Sequence, residues 1–149
     1  MSKIIATLMM LISCSLSLSA CGMSWLPFAA ESEKIPIFEF IADSEYRQWA
    51  DDFENNFPVS LTYQRFTVAG EEEREVTQNP DEIRAVFNWI SQMLVINEAG
   101  PAHTDDESAY IFTMKDETFK VFSFQQGKLL MNDRTSFEIE SQTTQPWPQ

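Results

Sequence analysis

Asn79-Pro80-Asp81-Glu82-Ile83-Arg84-Ala85-Val86-Phe87-Asn88-Trp89-Ile90-Ser91-Gln92-Met93-Leu94 is the stretch whose reading decides the fold. Asn79 has the side chain of a helix cap, and Pro80 suits the first helical position, where no N–H is needed. Asp81 and Glu82 place negative charge against the positive end of the helix dipole. Glu82 also stands three residues past the cap, as a capping box requires. Ile83, Val86, Phe87, Ile90, Met93 and Leu94 then recur at helical spacing and form one wide apolar stripe. A helix with such a stripe faces a core, and the flanking sequence must supply the other layer.

Upstream the period changes from helical to alternating. Val59, Leu61 and Tyr63 alternate with Ser60, Thr62 and Gln64, and Phe66 and Val68 continue the series. Ala69-Gly70 reads as a turn, and residues 72–77 return as a charged strand, which predicts a hairpin. Glu71-Glu72-Glu73 fits a solvated sheet edge, where charge discourages pairing with other chains. Further upstream, Tyr46, Trp49, Ala50, Phe53 and Phe57 mark another helix, capped by Asp43 or Ser44 and stopped before Pro58. Ile35, Ile37, Phe38, Phe40 and Ile41 read as a short strand.

Downstream, residues 97–107 read as a loop around Gly100-Pro101. Four short strands are predicted after it, at 108–115, 118–125, 128–131 and 135–140. The connections Asp116-Glu117, Gln126-Gly127 and Asn132-Asp133-Arg134 are short enough for hairpins. A hairpin, a helix and an antiparallel meander make an α+β fold, with two packed helices in a single small domain spanning 35–140. Residues 141–149, with Pro146-Trp147-Pro148, are expected to form a flexible tail. This layout over 59–139 resembles small uncharacterised domains of exported lipoproteins from Gram-positive bacteria; the resemblance implies an architecture and no activity.

The meander strands lack a polar face. Tyr110, Phe112 and Met114 point one way, Ala109 and Ile111 the other, while Phe119 and Val121 oppose Phe122 and Phe124. One helix covers one face, so a second cover is required, and the stripe around Trp49 is the expected one. The alternatives are the Trp25-Leu26-Pro27-Phe28 segment, or a partner received on an interaction face made by Tyr110, Phe112, Phe122 and Phe124.

The N-terminus carries a second message. Met1-Ser2-Lys3 is followed by the apolar run Ile4-Ile5-Ala6-Thr7-Leu8-Met9-Met10-Leu11-Ile12, and no charge appears again before Glu31. A basic start, a short apolar core and small residues make a secretory signal. Leu18-Ser19-Ala20-Cys21 resembles the lipobox of bacterial lipoproteins. The resemblance implies cleavage between Ala20 and Cys21, a diacylglyceryl thioether on Cys21 and commonly an amide-linked acyl chain such as palmitate. Gly22 after the cysteine implies sorting to the outer membrane if the host has one. Leu11-Ile12-Ser13-Cys14 fits the pattern less well, because the apolar core before it is very short. An uncleaved spanning helix would need about 20 predominantly apolar residues, and serines dilute this run.

Cleavage before Cys21 leaves 129 of the 149 residues (149 − 20), enough for one domain that folds without staples. It also removes Cys14, so an intrachain disulfide is excluded. Residues 21–34 tether the domain, and the 13 residues after the cysteine reach at most about 45 Å. The 10 basic residues face 23 acidic ones, a formal net charge of −13 that repels nucleic acid and anionic headgroups.

Catalytic constellations are hard to assemble from this chain. His103 is the only histidine, and the four glycines, Gly22, Gly70, Gly100 and Gly127, are too far apart for Gly-x-Ser-x-Gly or a phosphate loop. His103-Thr104-Asp105-Asp106-Glu107 lacks the order of a calcium loop and the ligands of a zinc site. No metal or cofactor is therefore expected. The sequence predicts a non-enzymatic, membrane-anchored module of the cell envelope, on the extracytoplasmic face, with the membrane and an unidentified protein as partners. A carboxylate-dependent hydrolase and a solute- or cation-binding lipoprotein are the alternatives. His103→Ala is expected to leave unfolding stability and cellular phenotype near wild type; a null phenotype in a folded variant would contradict this reading.

Overall fold

The computed structural model describes residues 33–67, 69–70, 72–101, 106–131 and 135–148. Its strands are β1 (Ile35–Pro36), β2 (Ser60–Phe66), β3 (Glu72–Thr77), β4 (Leu94–Pro101), β5 (Glu107–Thr113), β6 (Phe119–Gln125), β7 (Lys128–Leu130) and β8 (Thr135–Glu140). The helices are α1 (Ile37–Phe40), α2 (Ser44–Asp51) and α3 (Pro80–Ser91). All eight strands form one antiparallel sheet in the order β1-β4-β8-β7-β6-β5-β2-β3, which makes the domain α+β. Among the described residues no helix is long and apolar enough to cross a membrane.

Local sequence explains most of these elements. Asn79 caps α3 by accepting the Asp81 N–H, with Pro80 in the first turn. The capping box closes through an extra link: the Asn79 N–H donates to the Thr77 hydroxyl oxygen, and that hydroxyl donates to the Glu82 carboxylate. Asp43 caps α2 by accepting the Glu45 N–H at 2.8 Å. The β6–β7 connection is the two-residue turn Gln126-Gly127, with φ of +50° and +76°, the geometry in which strand twist matches a tight hairpin.

Several stretches depart from the sequence expectation: α2 ends at Asp51, before Phe53 and Phe57 of its expected stripe, and α3 ends at Ser91, so that Leu94 belongs to β4. The run from Ile35 to Ile41 is not a strand beyond Pro36. Proline ends the ladder, the Ile37 N–H donates to the Met93 carbonyl, and a single helical turn follows. Residues expected as a loop around Gly100-Pro101 instead form most of β4. This strand pairs with β8 through two register shifts, and Gly100 takes a φ of +92° beside them. β1 covers only Leu94 and Val95 on the other side, so the polar residues that follow occupy a free edge, and Pro101 closes the strand at its end.

Pairing registers assign the faces of the sheet. Leu61 lies opposite Phe112, Tyr63 opposite Tyr110, Tyr110 opposite Phe122, and Phe124 opposite Leu129. On this face Leu61, Tyr110, Phe112, Phe122, Phe124 and Leu129 are buried, and Ile83, Val86 and Ile90 of α3 join them in one core. The expectation that α2 covers the opposite face is corrected here. Trp49 of α2 is 4% exposed and packs on the same face as α3, with ring centroids 5.2 Å from Phe112 and 5.4 Å from Phe87. Phe53, in the turn that follows α2, stacks on Phe87 of α3 at 3.7 Å. Phe38 of α1 adds edge contacts to Trp49 and Phe122.

The opposite face carries a cross-strand row of Val76, Thr62, Ile111 and Val121 with Phe119 beside it, and Val76, Phe119 and Val121 are exposed. The stretch after β8, expected as a flexible tail, makes specific contacts through residues 141–148. Trp147 packs against the core, and the Trp89 indole N–H donates to the Thr143 carbonyl at 3.2 Å.

Trp49→Ala should cost about 3–5 kcal/mol in denaturant unfolding, because a large aromatic is removed from a closed core. Val76→Thr on the exposed face should stay within about 0.5 kcal/mol. A Trp49→Ala loss below about 1 kcal/mol would contradict the assignment.

Candidate functional site

The interaction face expected at Tyr110, Phe112, Phe122 and Phe124 is brought together by the sheet register but is closed. These residues are 1%, 0%, 2% and 6% exposed, because both helices and Trp147 lie over them. They are core, not a docking surface. The Tyr110 hydroxyl donates to the Trp147 carbonyl at 2.9 Å, and burial pushes its pKa far above the ordinary phenol range. Tyr110 therefore stays neutral and is no proton carrier. Ala20, Cys21, the Trp25–Phe28 segment, Glu71 and His103 lie outside the described residues.

The accessible chemistry gathers elsewhere, where the end of α2 faces the β5–β6 hairpin. Between them runs a groove of about 720 Å³. Volumes of this order are those that receive small ligands. Its apolar floor is Trp49, Phe57 and Met114. One wall is polar and comes from α2 and the turn after it, with Glu45, Gln48, Asp52, Asn55 and Asn56. The other wall is Lys115, Asp116, Thr118 and Lys120.

Each wall is built by local hydrogen bonding. After α2 the Asn56 N–H donates to the Asp52 carbonyl, and the Trp49 indole N–H donates to the Asn56 carbonyl at 3.2 Å. The Asp52 carboxylate accepts from the side-chain amides of Asn55 and Asn56, one on each oxygen. Arg84 of α3 forks onto Glu54 at 2.9 and 3.0 Å and lies over the Phe57 ring, which holds Phe57 in the floor. Across the groove, Asp116 accepts from both the N–H and the hydroxyl of Thr118. Those bonds lower the Asp116 pKa, so its carboxylate persists into acid and the turn loses this anchor only as pH falls through the depressed value.

Lys120 is the residue that the sequence reading passed over. Its register opposite Phe112 turns it toward the core, in phase with Phe122 and Phe124. The side chain is 12% exposed, its ammonium lies 4.9 Å from the Tyr46 ring centroid, and it reaches Glu45 at 3.3 Å. A lysine alternating in phase with two phenylalanines was the available signal. Its stem packs along apolar surface while its head emerges at the groove.

Tyr46 fixes the position of α2 on the sheet. β7 pairs only with Ser123–Gln125 of β6, so among the described residues the earlier part of β6 has no strand on that side. The Tyr46 hydroxyl stands in for one: it accepts from the Val121 N–H at 2.9 Å and donates to the Val121 carbonyl at 3.3 Å. Among the described residues no group of three or more His, Cys, Asp or Glu side chains converges as metal ligands.

Tyr46→Phe keeps the ring and removes both hydrogen bonds. It should cost about 1 kcal/mol and speed hydrogen exchange at the Val121 amide. Unchanged protection there would contradict the role given to Tyr46. No protein family, curated protein or solved structure matches this chain.

Proposed function

We propose that this chain is a lipid-anchored binding module of the bacterial envelope, held on the extracytoplasmic face of a membrane through Cys21 and working without catalysis. The observation that carries the reading is Leu18-Ser19-Ala20-Cys21, placed after a leader whose one charge is Lys3. Two or three acyl chains would anchor the protein firmly, since each buried CH₂ contributes about 0.8 kcal/mol and a single chain is marginal. If the host has two membranes, Gly22 favours the outer one. The charge of −13 supports partners that are neither nucleic acid nor anionic lipid headgroups.

Binding is favoured over catalysis by the state of the groove. Its carboxylates have near partners: Asp52 with two amides, Asp116 with Thr118, and Glu45 with Lys120. The meeting of Glu45, Asp52 and Asp116 in one groove is what favours the second reading, a carboxylate-dependent hydrolase. Glycoside hydrolysis needs a carboxyl whose pKa is raised so that it can donate a proton. Asp116 is shifted the opposite way.

The test of the anchor is Cys21→Ser with metabolic labelling. The variant should accumulate as an unprocessed precursor that takes up no labelled palmitate. Normal processing and labelling would contradict the anchor, and labelling lost only in Cys14→Ser would move it to that residue.

A further inference from the structure

We propose that the groove between α2 and the β5–β6 hairpin binds a neutral, hydroxyl-rich ligand, a short saccharide. The inference deepens the binding-module reading and rests on it. It begins from the pairing of charge within the groove. The Asp52 carboxylate has an amide donor on each oxygen, Asp116 is held by Thr118, and Glu45 faces the Lys120 ammonium at 3.3 Å. A groove made for a metal ion would bring several hard oxygens onto one point, and among the described residues no three acidic or imidazole side chains converge so. A groove made for an anion would be basic, whereas this one sets Glu45, Asp52 and Asp116 against Lys115 and Lys120.

What the groove does offer is a dense set of oriented acceptors and amide donors above an apolar floor. Asp52, Asn55 and Asn56 are tied into one turn, and Gln48 stands on the rigid helix beside them. Carboxylates and amides accept and donate in the pairs that a hydroxyl requires, since each hydroxyl is donor and acceptor at one atom. Phe57 and Met114, partly exposed over buried Trp49, give the floor a surface for the C–H face of a sugar ring. Groups already held by neighbours lose little freedom on binding, which favours a weakly interacting neutral ligand.

The experiment is an NMR titration of the full-length protein in detergent micelles, following the Trp49 indole N–H, which is bonded to Asn56 at the groove rim. The probes are the neutral oligosaccharides chitotetraose, maltotetraose and cellotetraose at millimolar concentration, with spermidine and calcium ion as charged competitors. At least one saccharide should shift the Trp49 resonance saturably, and Gln48→Ala should weaken that binding several-fold while the spectrum stays folded. No response to the three saccharides, tighter binding of spermidine or calcium, or a saccharide response untouched by Gln48→Ala would each overturn the proposal. These outcomes are independent of the anchor, since loss of palmitate labelling at Cys21 leaves the titration unchanged.

Discussion

The Trp49 indole sits where three elements meet, and the rest of the fold depends on it. It touches the sheet through Phe112 and Phe122, α3 through Phe87, and the turn that follows its own helix through Phe53. Its N–H is satisfied by the Asn56 carbonyl, so the ring is buried with no orphaned donor. The same bond fixes the turn that ends α2 and shapes one wall of the groove. Two helices thereby share one face of the sheet, and stacked Phe53 and Phe87 fill the seam between them.

Both helices share one face of the sheet, and that face holds the largest aromatic side chains of the core. The other face carries β-branched residues that suit a pleated surface, with Val76 and Val121 exposed and Thr62 buried. β3 ends the sheet with Glu72, Glu73 and Glu75 around Arg74, a charged edge that resists pairing with other chains. The groove lies where the core layer stops, at the end of α2, and Lys120 and Tyr46 mark the transition from buried aromatic rings to accessible polar groups.

Much of this was legible in the chain. The Asn79–Glu82 cap, the helical stripe from Ile83 to Ile90, the alternation from Ser60 and the Gln126-Gly127 turn each have a local cause, and each appears where that cause places it, although Met93 and Leu94 fall beyond the helix end at Ser91. What was not legible depends on distant partners. β4 is polar along its free edge and holds Gly100 and Pro101, so its pairing with β8 leaves no periodic trace. Ile35–Ile41 has a strand's composition, but Pro36 ends the ladder and the Met93 carbonyl receives the next N–H. Which face α2 covers is set by tertiary packing, because its stripe fits either side of a sheet with apolar residues on both. The groove was missed for a similar reason: Lys120 and Glu45 are 75 residues apart and meet only through the fold.

The central claim is that both helices pack on the face of Phe112 and Phe122, and not on the face of Ile111 and Val121. Nuclear Overhauser contacts from the Trp49 indole test it most directly. The account predicts contacts from that ring to the rings of Phe112, Phe122 and Phe87, and none to the methyl groups of Ile111 or Val121. Contacts to Ile111 and Val121 in place of the phenylalanines would put α2 on the opposite face and contradict it.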